Sequence, residues 1–97
     1  MKLFWTDESL DKLSAIDDFI SRDSPQSAEN FVKYLIERGE SISENPQLGR
    51  IVPEILNPEI REIIAKGYRI VYRIKQDRVE ILTVFEGHKL LKLDGNK

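Results

Sequence analysis

The sequence predicts a single α+β domain over residues 1–97. Its predicted order is β-α-α-β-β-β, with an N-terminal helix hairpin packed on one face of a mostly antiparallel four-stranded sheet. Three observations predict it. Apolar residues recur at helical spacing through the first half, and from Glu59 the period changes to two. Between the halves, residues 45–58 hold Pro46, Gly49, Pro53 and Pro58, which punctuate a loop. Two helices cannot bury their apolar stripes alone, and a meander of strands needs one face covered, so the two halves pack on each other. A chain of 97 residues buries roughly 60–68 % of its unfolded surface, enough for one core without covalent staples.

Each element has a local reason. Lys2 to Trp5 is a short strand. Thr6 caps the next element, with Asp7 and Glu8 in the first turn, where a helix dipole favours carboxylates. Leu10, Leu13, Ile16 and Ile20 then give a helix from Asp7 to about Ser21. Ser24-Pro25 starts a second helix, because proline at the first helical position has no amide to lose. Ala28, Phe31, Val32, Leu35, Ile36 and Ile42 define its face to about Glu44, where Asn45-Pro46 breaks it. Gly39 is placed for close contact with the first helix. Residues 45–58 form a connection with a brief extended piece at Arg50-Ile51-Val52. Glu59 to Ala65 is an isoleucine-rich strand and Lys66-Gly67 a turn. Tyr68, Ile70, Tyr72 and Ile74 alternate with Arg69, Val71, Arg73 and Lys75 in the clearest strand of the chain. Val79 to Phe85 is apolar on both faces except at Glu80 and Thr83, which predicts a central strand. The end, Asp94-Gly95-Asn96-Lys97, is expected to fray.

Composition excludes several function classes. The apolar share is 40 % and the charged share 33 %, and the charged share lies above the roughly 25 % of an average domain. No run approaches the ~18 apolar residues of a membrane span, and no signal peptide is read at the start. The expected location is therefore the cytoplasm, with no membrane partner. Without cysteine there is no disulfide framework, thiolate metal site or cysteine nucleophile, and His88 alone cannot make a multi-histidine metal site. No cofactor is expected. Residues 1–49 carry 5 Lys/Arg against 10 Asp/Glu, whereas residues 50–97 carry 10 against 7. An anionic partner is thus expected at the back half.

The strand faces narrow that expectation. If Tyr68, Ile70, Tyr72 and Ile74 meet the helices, Arg69, Val71 and Arg73 face the uncovered side of the sheet. There the arginines either keep an open face soluble or bind a phosphate or an acidic segment. Arg50 and Arg61 add to that face, depending on the loop path. Val71 on this open face is expected to matter far less to stability than Ile70. His88 is the one side chain with an ordinary pKa near neutrality. Glu54, Glu62 and Glu86 are candidate acids or bases without an identified partner. No Gly-rich phosphate loop, Ser/His/Asp spacing or acidic metal cluster is present in the sequence.

Six segments in order carry a family resemblance. They are Trp5-Thr6; Pro25 to Ala28; Asn45-Pro46-Gln47-Leu48-Gly49-Arg50; Ile60-Arg61-Glu62; Tyr68-Arg69-Ile70-Val71-Tyr72-Arg73-Ile74; and Ile81-Leu82-Thr83-Val84-Phe85. In this ordered set the chain resembles the RelE/ParE family of bacterial toxins, in the branch of plasmid stabilisation proteins, over nearly its whole length. The resemblance implies the same β-α-α-β-β-β fold, no metal, and a toxin neutralised by a co-encoded antitoxin. It implies one of two targets. RelE-like members cleave mRNA on the ribosome, and ParE-like members poison DNA gyrase.

In a nuclease, Arg69 matches the arginine that steadies the phosphate and His88 serves as acid or base. The lysines that the nuclease RelE places on the preceding strand are replaced by Ile60 and Glu62. The histidine that many relatives carry at the position of Glu86 stands at His88. With the cationic cradle depleted and the net charge at −2, the expectation is a ParE-like toxin acting by protein binding. The mRNA interferase is the runner-up, and an inactive antitoxin-binding module is the third reading. In the first, the antitoxin's C-terminal segment brings acidic side chains to Arg69 and Arg73, with Arg50 and Arg61 beside them. It brings apolar side chains to the helix groove or to Leu90, Leu91 and Leu93. The expected assembly is a homodimer or a heterotetramer with the antitoxin.

Overall fold

The computed structural model describes residues 1–89 and 91. The element order is β1 (Lys2–Trp5), α1 (Asp7–Ser21), α2 (Pro25–Glu40), β2 (Arg50–Ile51), β3 (Ile60–Ala65), β4 (Tyr68–Ile74) and β5 (Arg78–Glu86). The expected α+β architecture is present, but the sheet has five strands rather than four. The brief extended piece at Arg50–Ile51 pairs with β3 and becomes the fifth. The strand order is β1-β5-β4-β3-β2, antiparallel except that β1 lies parallel to β5. Strand β5 is therefore interior, paired on both sides, as its apolar faces predict, while β4 holds the centre. The second helix stops at Glu40, and Ser41–Glu44 tighten into a 3-10 turn.

The helix starts follow their caps. The Thr6 hydroxyl accepts the Ser9 N–H at 3.2 Å and donates to the Leu82 carbonyl at 3.0 Å, so the cap also ties α1 to β5. Ser24 accepts the Ser27 N–H at 3.2 Å. The close approach at Gly39 is made to β1 and not to α1. A Cβ there would lie 2.5 Å from Trp5 Cη2, so only glycine lets the indole pack on α2.

The main core lies between the helices and the sheet. Leu13 and Ile16 of α1 and Leu35 of α2 meet Ile63, Ile70, Tyr72, Val79, Ile81 and Val84 of the sheet. Tyr68 and Ile74 pack at its edge, so the alternating face of β4 is the one expected. A register shift falls between Val71 and Tyr72. Val71 stands opposite Thr83 and Tyr72 opposite Ile81. The extra residue, Leu82, changes the parity of β5, which is why Val79, Ile81 and Val84 all reach the same core.

The other face is not open. The segment after β2 crosses it. Val52, Ile60, Val71 and Leu91 form a second buried cluster, with Ile55, Leu82 and Phe85 packed against it. Val71 is 0 % exposed. The expectation that Val71 and Arg69 sit on an uncovered sheet face is corrected here. The sequence pattern of β4 shows that its faces differ, but not that the loop after β2 and Leu91 supply a second cover.

One tyrosine anchors the start of that crossing. The Tyr72 hydroxyl donates to the Pro46 carbonyl at 2.6 Å and accepts the Gly49 N–H at 3.0 Å. Burial pushes its pKa up, so it stays protonated and able to donate.

Candidate functional site

Beneath the crossing segment lies a cluster of four charged side chains. Arg50 on β2 stands opposite Glu62 on β3, and Glu62 stands opposite Val71 on β4, so all three share the second face. Arg69, two residues before Val71, points the same way. The Glu62 carboxylate is shared between the two arginines. Its Oε1 accepts Arg69 Nε–H at 2.6 Å, and its Oε2 accepts Arg50 Nε–H at 2.6 Å. Its side chain is 0 % exposed, and two guanidinium groups flank it.

Arg69 has a second carboxylate. Glu54, from the segment after β2, takes Arg69 Nη1 and Nη2 in a two-pronged pair, both at 2.7 Å. Arg69 Nη1 also donates to the Lys89 carbonyl at 3.0 Å, and the Leu91 N–H donates to Glu54 Oε2 at 3.1 Å. The guanidinium carbon lies 4.9 Å from the ring centre of Phe85. Four of the five Arg69 N–H groups are thus engaged, and its side chain is 5 % exposed. The hydrogen bond from Arg69 is the main reason the Glu54 pKa falls to about 2, and the Leu91 N–H adds to it. In return Glu54, and then Glu62, hold Arg69 firmly in its charged form.

The other expected site residues lie elsewhere. Arg61 stands opposite Tyr72 and therefore on the helix side of β3. It donates to the carbonyls of Gly49 and Pro58, at 3.0 and 3.2 Å, so it belongs to the loop anchor and not to the second face. Arg73 shares the second face but lies at the exposed end, 3.2 Å from Glu59. His88 is 74 % exposed in the turn after β5, with Nε2 3.5 Å from Glu86 Oε2. It makes no contact with Arg69 among the described interactions. Leu91 is buried in the second cluster. Leu90 and Leu93 lie outside the described residues.

The sequence pattern puts Arg69 on this face, lets Arg50 and Arg61 join it depending on the loop path, and gives Glu54 and Glu62 no partner; of the two conditional arginines the structure brings in Arg50 and not Arg61. The signal for Glu62 was present: it is the one acid in the isoleucine run of β3 and sits directly across from Arg50. Glu54 had no such signal, because it reaches Arg69 from a proline-flanked loop.

A second feature is the groove between the helices. Leu10, Leu13, Val32 and Ile36 form its floor, and Asp17, Glu29 and Glu37 are on its rim together with Lys33. Leu10 is half exposed there. Among the described residues, no group of His, Asp and Glu is placed to hold a metal ion, and no helix is long and apolar enough to cross a membrane.

The fold is a helix hairpin on one face of a mixed five-stranded sheet. It is shared with a chain of a chromosomal ParDE TA system from P. aeruginosa. The two match with a TM-score of 0.75 at 22 % identity, over 89 % of this chain and 95 % of that one. At that identity the likeness is one of fold. The family follows from the sequence match: the family model described as the ParE toxin of type II toxin–antitoxin system, parDE, fits residues 3–91. The chain belongs to that family and is a ParE-type toxin of a type II toxin–antitoxin system. A search of curated proteins found no match.

Proposed function

We propose that this toxin arrests growth in the cytoplasm by binding an essential protein target such as DNA gyrase, and that a cognate antitoxin neutralises it through its C-terminal segment. The observation that carries this choice over mRNA cleavage is the state of Arg69. A metal-free nuclease needs a cation free to meet the scissile phosphate as charge develops on it. Arg69 is buried, and its Nε, Nη1 and Nη2 are all taken by Glu62, Glu54 and the Lys89 carbonyl. His88, the candidate acid or base of the nuclease reading, is 74 % exposed in the turn after β5. Family membership supports the same reading.

The helix groove suits the partner segment. Its apolar floor accepts one side of a short amphipathic helix, and its mainly acidic rim favours basic residues flanking that helix. A segment of this kind is disordered when free and orders on binding. The acidic contacts expected at Arg69 in the sequence reading move to Arg50 and Arg73, whose side chains are 59 % and 41 % exposed.

Two assays with the purified toxin test the choice. Gyrase supercoiling is expected to be inhibited, and ribosome-bound mRNA to remain intact. Expression of His88→Ala is expected to arrest growth as the parent does. Ribosome-dependent cleavage without gyrase inhibition, or growth restored by a folded His88→Ala protein, overturns the proposal in favour of the interferase.

A further inference from the structure

The two carboxylates hold Arg69 in different ways. Glu62 meets Nε from the side, is fully buried, is rooted in the sheet and is shared with Arg50. Glu54 meets the far end of the guanidinium through both Nη atoms, comes from a loop and is 21 % exposed. The second geometry is the fork in which arginine takes any planar carboxylate, or two oxygens of a phosphate. A third donor converges on the same carboxylate, the Leu91 backbone N–H. Two guanidinium N–H groups and one amide N–H aimed at one pair of oxygens form an oxyanion site.

Charge points the same way. Arg50, Arg69, Glu62 and Glu54 together are neutral. Without Glu54 the group keeps one excess positive charge, and the freed donors sit against the Phe85 ring and the second apolar cluster, where water screens them poorly.

We propose that Arg69 and the Leu91 amide form an oxyanion-binding site that the chain fills with its own Glu54. The loop after β2 acts as a plug, and an external carboxylate or phosphate reaches Arg69 only when that plug is lifted. The inference concerns access to Arg69 and assigns no target: with Glu54 seated, as in this structure, the Nη contacts stay occupied.

Small anions test it on the full chain. Melting of the parent and of Glu54→Ala is followed in formate, acetate and inorganic phosphate against chloride at constant ionic strength. Glu54→Ala is expected to melt below the parent and to recover along a saturable curve with the carboxylates, with phosphate or with both. The anion that acts identifies the source the site accepts. The parent is expected to show only the shallow, unsaturated response that such salts give any protein. The Leu91 amide resonance of Glu54→Ala is expected to move with the same half-saturation as the melting curve. Adding Arg69→Leu to Glu54→Ala is expected to abolish the response. If Glu54→Ala is unfolded in chloride, formate or phosphate is expected to restore its circular dichroism. No saturable response of Glu54→Ala in any of the anions overturns the proposal. So does an equal response in the parent, or a response that survives removal of Arg69.

Discussion

The two faces of the sheet are built on different physics. On the helix side, Leu35, Ile70, Tyr72, Val79, Ile81 and Val84 are essentially without solvent contact, and hydrocarbon fills the space. On the other side a smaller cluster of Val52, Ile60, Val71 and Leu91 surrounds Arg69 and Glu62, which are 4 % and 1 % exposed. The first face is held by burial, which is non-directional and roughly proportional to area. The second depends on directed partners, each of which leaves another group unpaired when it is lost. The two faces therefore tolerate change differently. A shortened side chain on the helix side leaves a cavity. A shortened side chain in the charged cluster leaves a buried ion.

The largest expected effect tests that asymmetry. Glu62→Ala strips the buried anion from between two arginines, and a broken buried ion pair typically costs about 3–5 kcal/mol. Glu62→Ala is expected to lose more stability in chemical denaturation than Arg50→Ala, because Arg50 is largely in water and Glu62 retains Arg69 without it. Equal losses would show that the pairing with Arg50 and not the burial sets the energy.

Next come the two neighbours on β4. Ile70→Ala removes a core side chain from the helix side and is expected to cost about 2–5 kcal/mol. Val71→Ala removes less hydrocarbon from an equally buried site, about 1–3 kcal/mol. The sequence alone predicts a far smaller effect for Val71→Ala than for Ile70→Ala, so its denaturation midpoint checks the second cover directly. A loss within 0.5 kcal/mol or so, as for ordinary surface sites, would mean that the 52–58 crossing does not pack in solution.

What was legible in the sequence divides along the same line. The helix hairpin, its caps at Thr6 and Ser24, and the core face of β4 follow from short-range rules of period and capping, and they are present as expected. The partner of Gly39 was misassigned because a small residue signals a close approach without saying to what. The fifth strand is only two residues long, too short for a period to register. The second cover joins Val52, Glu54, Arg69 and Leu91, which are far apart in sequence and meet through a loop of irregular backbone. Arg69 was correctly placed on the second face, but a strand pattern cannot show that a loop carboxylate will lie over it. Its burial was therefore not readable.

Acid sharpens the comparison, because only the charged face titrates. The Glu54 pKa, about 2 in the folded chain, lies below its ordinary value of 4.5. The folded state therefore binds fewer protons at this group than the unfolded state does. Its stabilisation is fully present above pH 4.5 and is lost as pH falls from there to about 2. Taken alone the shift corresponds to about 3 kcal/mol, and solvent screening at this partly exposed carboxylate lowers the expected contribution to about 2–3 kcal/mol. Glu54→Gln has no such group to protonate. The stability gap between the parent and Glu54→Gln is expected to shrink through that window and to be flat from pH 5 to 8. A gap that stays constant down to pH 2 would show that the Arg69 pair contributes nothing through charge.

The smallest effect is expected at Arg73. It lies on the same face as Arg69 and also pairs with a glutamate, so by sequence the two are equivalent positions of one strand. Their surroundings separate them. Arg73 and Glu59 are 41 % and 59 % exposed and meet at 3.2 Å, whereas Arg69 is enclosed and held at 2.6 to 2.7 Å. Exposed pairs lose in side-chain ordering and salt screening most of what they gain in attraction, and are worth about 0–1 kcal/mol. Arg73→Ala is therefore expected to leave the denaturation midpoint nearly unchanged, while Arg69→Ala exposes two facing carboxylates to each other and lowers it strongly. Because Arg73 is free to reach outward, its loss is expected to appear in antitoxin affinity instead, read by calorimetric titration at low and high salt. A large drop in stability with unchanged affinity would move Arg73 from the contact surface into the fold.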